Sequence, residues 1–478
     1  MILVFIIFFF LFYALSYQWR FIKLSFSMPQ AGGIPFIGLA LKIRKLKDIL
    51  PTLDKCIENL GDVFFFWLGP LPVIFINDAD VANSVFTSKN CLDKASFYRP
   101  VAKYLGDGLF SLGSKEWQKH RRLLNPSFNQ KTLLSFLPIF EQGANCIIED
   151  LEKLEGKDAS DFSQIFHKTS LNVAAETTMG RKMSVEGETD LLPHYQNMLN
   201  LGIIVISQPW LSIDFFFKRW KHFEKGTISV NLVSNFSKML IKQKVESEKE
   251  DSGLKSIFID QAISLVREKK FTLQELEDEA ANMIFGAFET TASILYSLLM
   301  CMAFNPECQE KLYNEIITLM PEEREVTLQD LGNLSYMEMV IFETLRLLPA
   351  VPLIGRKTDR DLHLSNNLFV PKSTEFIISI FHIHRNKKYW GENALVFNPD
   401  NFLPENTSCR SSYAFMPFTR GIRNCIGKQY AMYSLKVVLS KIIRKFKFST
   451  TAKFEELEYV EAVILKFRKI PEIKVQFR

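Results

Sequence analysis

Three hydrophobic patterns run along this chain of 478 residues. The first is an unbroken apolar run, MILVFIIFFFLFYALSY, over residues 1–17, without a single charged side chain. As a helix rising ~1.5 Å per residue it reaches roughly 25 Å, close to the span of a thin bilayer. Trp19 behind it suits a membrane interface, and Arg20 and Lys23 suit the cytosolic side. An uncleaved N-terminal anchor is expected. The rival, a cleaved secretory signal, wants a basic leading region and a small-residue cleavage site, and neither is present. Residues 29–38, PQAGGIPFIG, cannot form a continuous helix, so 18–41 is expected to be a stiff, turned linker.

The second pattern is helical and dominates the middle of the chain. Thr272-Leu-Gln-Glu275 is a capping box that starts a helix, and Asn305-Pro306 stops it. Gly286 is the only breaker between them, and from Ala280 onward the segment is apolar nearly all round. A transmembrane span has this composition, and so has a helix buried through a large domain. Glu289, Thr290 and Thr291 sit mid-segment, and a carboxylate at mid-membrane is costly without a partner. A buried helix with polar groups facing a cavity is expected. The third pattern, strand-like, occupies 62–76 and 375–383. Residues 242–256 are a solvated, mixed-charge stretch. The expected fold is mainly α with small β-sheets (α+β), with one catalytic domain over 42–478.

Composition narrows the function classes. Hydrophobic residues make up 47% and charged residues 23%, enough to bury a large core. The net charge of +5 is too small and too dispersed to indicate a nucleic-acid partner. Seven cysteines, at 56, 91, 146, 301, 308, 409 and 425, show no CxxC pair, so reduced thiols are expected.

One cysteine stands in a chemical setting: Phe418-Thr-Arg-Gly421-Ile-Arg423-Asn-Cys425-Ile-Gly427. Gly421 and Gly427 allow a tight loop whose backbone N–H groups turn toward sulfur. Such donors tune a thiolate metal ligand. Phe418 suits shielding of the sulfur, and Arg423 suits an anion. Residues 426–441 read as a helix, which places the sulfur at a helix N-terminus and favours the thiolate.

This pattern, F-x-x-G-x-R-x-C-x-G, resembles the haem-binding loop of the cytochromes P450, with every fixed position matched. The other landmarks of that family follow in order. Glu343-Thr-Leu-Arg346 resembles its ExxR motif; i, i+3 spacing lets the two charges pair. The resemblance implies a buried ion pair bracing the haem loop. Asn401 stands where the family usually has an arginine, so neutral hydrogen bonds are expected there in place of a third charge. Trp117-Gln-Lys-His-Arg121 resembles the W-x-x-x-R helix, and the resemblance makes Trp117, Arg121, Arg356 and Arg423 propionate-binding. Gly286-Ala-Phe-Glu289-Thr290-Thr291 resembles the oxygen-activation motif, with its small pair inverted; Glu289 and Thr290 are the implied proton-guiding residues. Phe288, Val351, Leu353 and Ile354 are expected pocket walls.

What the resemblance implies is a haem-thiolate monooxygenase. Cys425 is its iron ligand. The haem is haem b, held without a covalent bond to the ring, because Gly286 occupies the position where members of the fourth P450 family carry an ester-forming glutamate. Segments 343–356 and 208–217 resemble that family and its insect relatives. Substrates would be apolar: fatty-acid-like, hormonal, pheromonal or foreign. With no flavin or dinucleotide fingerprint in the chain, electrons would come from an NADPH-cytochrome P450 reductase, with cytochrome b5 as a further partner. The implied location is the endoplasmic-reticulum membrane, with the catalytic domain in the cytosol. An aromatic and basic cluster, Trp210, Leu211, Phe215, Phe216, Phe217, Lys218, Arg219, Trp220 and Lys221, is expected to touch the bilayer, though a core stripe has the same composition. Lys119, His120, Arg122 and Lys428 are expected to form a basic docking face. Two rivals keep the fold but change the chemistry: a peroxide-rearranging isomerase or dehydratase, against which the intact Glu289-Thr290 argues, and a non-enzymatic haem-thiolate carrier or sensor.

Overall fold

A computed structural model of the chain describes residues 18–478, apart from 34, 36, 44, 160–161, 182–189, 209–210, 212–213, 221, 248–256 and 366. The expected anchor over 1–17 lies outside the described residues, as do Trp210, Lys221 and most of the solvated stretch 242–256.

The axis of the fold is the helix Leu273–Phe304. It starts where the capping box requires: the Thr272 side chain accepts from the Glu275 N–H, and Glu275 accepts in return from the Thr272 N–H. It stops at Asn305, before Pro306. Its apolar character all round has a packing cause. The helix Ser163–Met179 covers it most extensively, and Phe223–Ser247, Ser335–Leu347 and Lys428–Lys445 cover other sides. Its hydropathy would allow a membrane crossing, but here the helix is the buried centre of a domain.

The main sheet has five strands, ordered Gln30–Ala31, Val63–Leu68, Leu71–Ile76, Glu375–Ser379 and Leu353–Lys357. Val63–Leu68 and Leu71–Ile76 form an antiparallel hairpin in which Phe65 faces Ile74. Leu71–Ile76 then pairs in parallel with Glu375–Ser379, which pairs antiparallel with Leu353–Lys357. Alternation divides the run FFFW between two cores. Phe65 and Trp67 join Ile354 and Ile378 on one face, while Phe64 and Phe66 join Val73 and Phe75 on the other. A strand buried on both faces reads as a continuous apolar run, as this one does.

The segment 18–41 is seated on this sheet. Residues 18–26 are helical and bury Phe21 and Leu24. Gln30–Ala31 adds to the sheet edge in parallel with Phe65 and Phe66. At Gly38, with φ +50°, a Cβ would stand 2.0 Å from the Trp67 carbonyl oxygen, so only glycine permits the approach. The strand expected over 375–383 ends at Ser379, whose hydroxyl accepts from the His382 N–H and starts one helical turn, Ile380–Ile383.

Candidate functional site

The helix Ser335–Leu347 carries Glu343 and Arg346, both without exposed surface. Arg346 Nε and Nη2 donate to the two Glu343 oxygens, each at 2.7 Å. Nη1 donates to the carbonyls of His384 (3.0 Å) and Ala394 (2.5 Å), and Nη2 also to Val396 (3.1 Å). Every N–H of the guanidinium is therefore used. Glu343 also accepts from the Asn398 N–H (2.7 Å) and from Asn401 Nδ2 (3.1 Å). Asn401 thus joins the pair as a neutral donor. A second cation stands nearby that sequence reasoning missed. Arg410 donates to the Asn401 carbonyl at 3.1 Å and lies 3.7 Å from the Trp390 ring centroid, while Arg346 lies 4.7 Å from the same ring. No spacing motif marks Arg410; only the fold sets it beside Trp390.

The braced strands and loops lead into 418–427. The Cys425 N–H donates to the Phe418 carbonyl at 3.0 Å and closes the loop. Gly421 has φ +74°, and a Cβ there would stand 2.1 Å from the Phe86 carbonyl oxygen. The expected helix start at 426 falls two residues later. Gly427 caps Lys428–Lys445, so Cys425 lies just before that helix's N-terminus. The sulfur keeps an exposed face but lies deep among protein atoms, and loss of water pushes its thiol up. The Gly427 N–H, then Arg121 and Lys428, act in the opposite direction.

Basic groups gather from distant segments. Arg356, on Leu353–Lys357, is buried, and its Nη1 meets only the Gly355 carbonyl at 3.1 Å. Arg423 donates to the Leu92 carbonyl and, at 2.6 Å, to Leu112, but its buried Nε has no partner. Its guanidinium lies 5.1 Å from the buried Trp117 ring. Burial, then the Arg356 charge, pulls Arg423 down to about 9. Lys94 is the third cation and was not legible in the sequence. Its ammonium lies 4.4 Å from the Tyr98 ring centroid, and burial followed by Arg356 and Arg423 holds it well below the usual lysine range. Three basic groups, each held down by burial and two of them also by a neighbouring cation, make a site that an anion would recharge. Arg121, expected among them, donates instead to Asn424 O (2.8 Å) and Asn424 Oδ1 (3.1 Å), holding the cysteine loop itself. His120 is no part of a basic surface. It is buried, with Nδ1 2.7 Å from Glu279 and Nε2 3.2 Å from Glu275, and it pins this helix to the central one.

The central helix opens at its midpoint. Gly286 is exposed and Ala287 and Thr290 partly so, within an otherwise buried stretch. Spacings of three and four put them on one face. A Cβ on Gly286 would meet nothing within 4 Å, and Thr290 Oγ1 donates to the Gly286 carbonyl at 2.7 Å. Ala287 and Thr291 share a small cavity with Tyr430 and Ser434, on the helix that follows Cys425. Phe288, expected as a pocket wall, is a correction: it has no exposed surface and meets the Tyr195 ring edge-on at 5.5 Å. Leu353 and Ile354 cannot both line one pocket, since neighbouring strand residues point to opposite faces. Leu353 packs with Phe64 and Phe75, whereas Ile354 and the partly buried Val351 pack with Phe86 and Met416.

A thiol just before a helix N-terminus, three basic side chains gathered around Tyr98 and an open small-residue face on the central helix agree with the comparisons. The family model "Cytochrome P450" matches residues 28–475. The chain belongs to the cytochrome P450 family. "Probable cytochrome P450 313a4" of Drosophila melanogaster is 36% identical over 473 residues, covering 96% of this chain and 95% of the relative. "Cytochrome P450 4V2" of Pongo abelii is 30% identical, covering 91% and 87%. "Cytochrome P450 4c21" of Blattella germanica is 28% identical, covering 90% and 89%. Membership makes the chain a haem-thiolate monooxygenase. Its residues fit the group. Cys425 offers one thiol to an iron, the orphaned Arg423 Nε with Arg356 and Lys94 suits two carboxylates, and Gly286 leaves room for a flat ring.

The brace yields a first test. Glu343→Gln leaves the Arg346 charge buried and uncompensated, at a cost of about 3–5 kcal/mol. The variant is expected to load little haem per protein, read from absorbance, and to melt well below wild type. Full loading with an unchanged melting temperature would refute the brace.

Proposed function

We propose that this P450 is an endoplasmic-reticulum monooxygenase that inserts one oxygen atom from dioxygen into a small apolar substrate. Its electrons come from NADPH through a cytochrome P450 reductase, with cytochrome b5 as a further partner. The observation that carries the reading is Cys425, with the Gly427 N–H turned to its sulfur at the start of Lys428–Lys445. Haem b held there supplies dioxygen activation, which a thiolate ligand favours. The chain's own residues do the rest. Gly427, Arg121, Lys428 and the helix N-terminus favour the thiolate against the burial that raises the thiol, and its deprotonation would be completed by a bound iron. Arg356, Arg423 and Lys94 take the propionates, with Trp117 under Arg423. Thr290, beside the open Gly286, hands protons from Glu289 to the oxygen site.

Membrane attachment is supported by the aromatic cluster, which divides in two. Leu211 and Phe217 are buried and Trp220 packs with them, while Phe215 and Phe216 stand exposed. The exposed pair, with Trp19 and Phe26, suits a bilayer surface. Lys119, Arg122 and Lys428 are exposed and suit an acidic electron donor. An apolar substrate is supported by Val101, Leu199, Ile203 and Phe285, which line the small cavity beside Glu289. A substrate-binding difference spectrum across fatty acids, terpenoids and insecticides selects among candidates.

The deciding experiment is the reduced carbon-monoxide spectrum. A band near ~450 nm, as expected of a thiolate-ligated haem, should vanish in Cys425→Ser and persist in Cys409→Ser. A retained band in the first variant overturns the ligand assignment. Thr290→Ala should still bind haem but release more hydrogen peroxide per NADPH. Unchanged coupling of NADPH to product would remove Thr290 from the path. Gly286 has no carboxylate to esterify a haem methyl. After turnover, acidified organic extraction should therefore free all the haem, and haem co-eluting with denatured protein would contradict non-covalent binding.

A further inference from the structure

Glu289 faces away from the open side of the central helix. Its carboxylate is 1% exposed, and Oε2 has no hydrogen-bond partner. Two basic groups approach it from different elements. His167 Nε2, from Ser163–Met179, stands 3.5 Å from Oε2, an ion-pair contact longer than a good hydrogen bond. Lys466 Nζ, from the hairpin strand Ile464–Phe467, stands 3.8 Å from Oε1. Phe285, Glu289 and Lys466 border a cavity of about 10 Å³, room for one water at most.

The other imidazole nitrogen decides where the protons are. His167 Nδ1 lies 2.6 Å from the Ser163 carbonyl oxygen. A carbonyl only accepts, so Nδ1 carries hydrogen. In neutral His167, Nε2 would then be a bare lone pair aimed at the carboxylate. Such a contact is repulsive unless Nε2 or Oε2 holds a proton. The charged forms agree: Glu289 lowers the acidity of His167, and His167, then Lys466, offset the burial of Glu289 and hold its carboxyl below the ordinary value.

We infer that His167 is the proton donor that recharges Glu289 in each catalytic cycle, with Lys466 holding the carboxylate in place between transfers. The inference rests on the monooxygenase reading. Reducing dioxygen with two electrons, while one oxygen atom enters substrate, takes up two protons that leave as water. For each, the His167 Nε2–H bond breaks and an Oε2–H bond forms, leaving neutral imidazole and carboxylic acid. The acid turns about its side-chain bonds and gives the proton through water toward Thr290. Solvent then reprotonates Nε2 along the 14% of the imidazole side chain that stays exposed. Lys466, whose side chain is 40% exposed, keeps the intervening carboxylate from drifting inward. His167 acts through Glu289 and is a positioning and relay residue.

His167→Gln tests this in the haem-loaded full chain. Product formed per NADPH is expected to fall roughly ten-fold, less than the ~10²–10⁴ of a donor acting directly at the reacting atoms, because His167 acts through Glu289. The double variant with Glu289→Gln should be no worse than Glu289→Gln alone, because the two act in series. A second readout needs no turnover. The ionisable groups facing His167 are Glu289 and Lys466. A histidine whose folded pKa is raised stabilises fully below its unfolded value of ~6.5 and loses that contribution as pH rises through the folded value. Glu289, lowered by its partners, contributes above its unfolded value of ~4.3 and loses that contribution as pH falls through the folded value. Wild type should therefore outmelt His167→Gln by more at pH ~6 than at pH ~9. Unchanged coupling in His167→Gln, or losses that add to those of Glu289→Gln, would overturn the relay. A melting gap independent of pH would overturn the proton-bearing pair. Wild type that yields no NADPH-driven product would fail the monooxygenase reading, and the melting gap would still decide the pair. Lys466→Gln, on a partly exposed hairpin, guards against misfolding at His167: it should lower coupling less and leave the pH dependence of the gap in place.

Discussion

On the proposed reading a sulfur anion must persist inside a protein, and the surroundings of Cys425 bear on that requirement. Burial alone raises a thiol, as it does at Cys301, which is pushed well above its ordinary range in the apolar core. Cys425 differs because the chain turns at Gly421 and Gly427, brings a backbone N–H to the sulfur and begins a long helix immediately after. Arg121 ties that loop to a second helix through Asn424. A metal bound to the sulfur would complete the deprotonation that these groups begin.

The buried Glu343–Arg346 pair fastens the segment 384–398 ahead of that loop. Removing two charges from water is costly, and the pair is tolerable because the guanidinium N–H groups not spent on Glu343 donate to backbone carbonyls ahead of the loop, while Glu343 also accepts from the Asn398 N–H and Asn401. The neutral Asn401 leaves the Glu343 and Arg346 charges balanced within the pair. Arg410 stays outside the pair, stacked on Trp390 and donating to the Asn401 carbonyl. His384 continues the same line of support. It lies at the core, is driven down to about 3 by burial, and so stays neutral to accept the Met416 N–H just before the loop.

On the opposite side the central helix separates two jobs on adjacent residues. Thr290 belongs to the open face with Gly286, and Glu289, turned by about 100°, belongs to the polar contact with His167 and Lys466. One continuous helix thereby carries an accessible small-residue face on one side and a buried carboxylate with two basic neighbours on another. The hairpin Tyr459–Ala462 and Ile464–Phe467 brings Lys466 to that carboxylate and places Glu461 near Tyr98, where burial pushes its carboxyl up to about 7.

Local chemistry was legible in the sequence wherever the groups concerned lie close along the chain. The capping box at Thr272 placed the start of the central helix, the loop around Cys425 marked the thiol, and the i, i+3 spacing of Glu343 and Arg346 foretold their pairing. Each depends on geometry that a few neighbouring residues determine. Tertiary structure alone decided the rest. Lys94 meets Arg356 and Arg423, Arg410 meets Trp390, and His167 and Lys466 meet Glu289 only after segments far apart in the chain have packed. The same packing turned His120 inward and put Phe288 against Tyr195. An isolated basic or aromatic residue carries no mark of its partner in its own neighbourhood, because that partner is set by how helices and strands stack, not by how the chain is spaced.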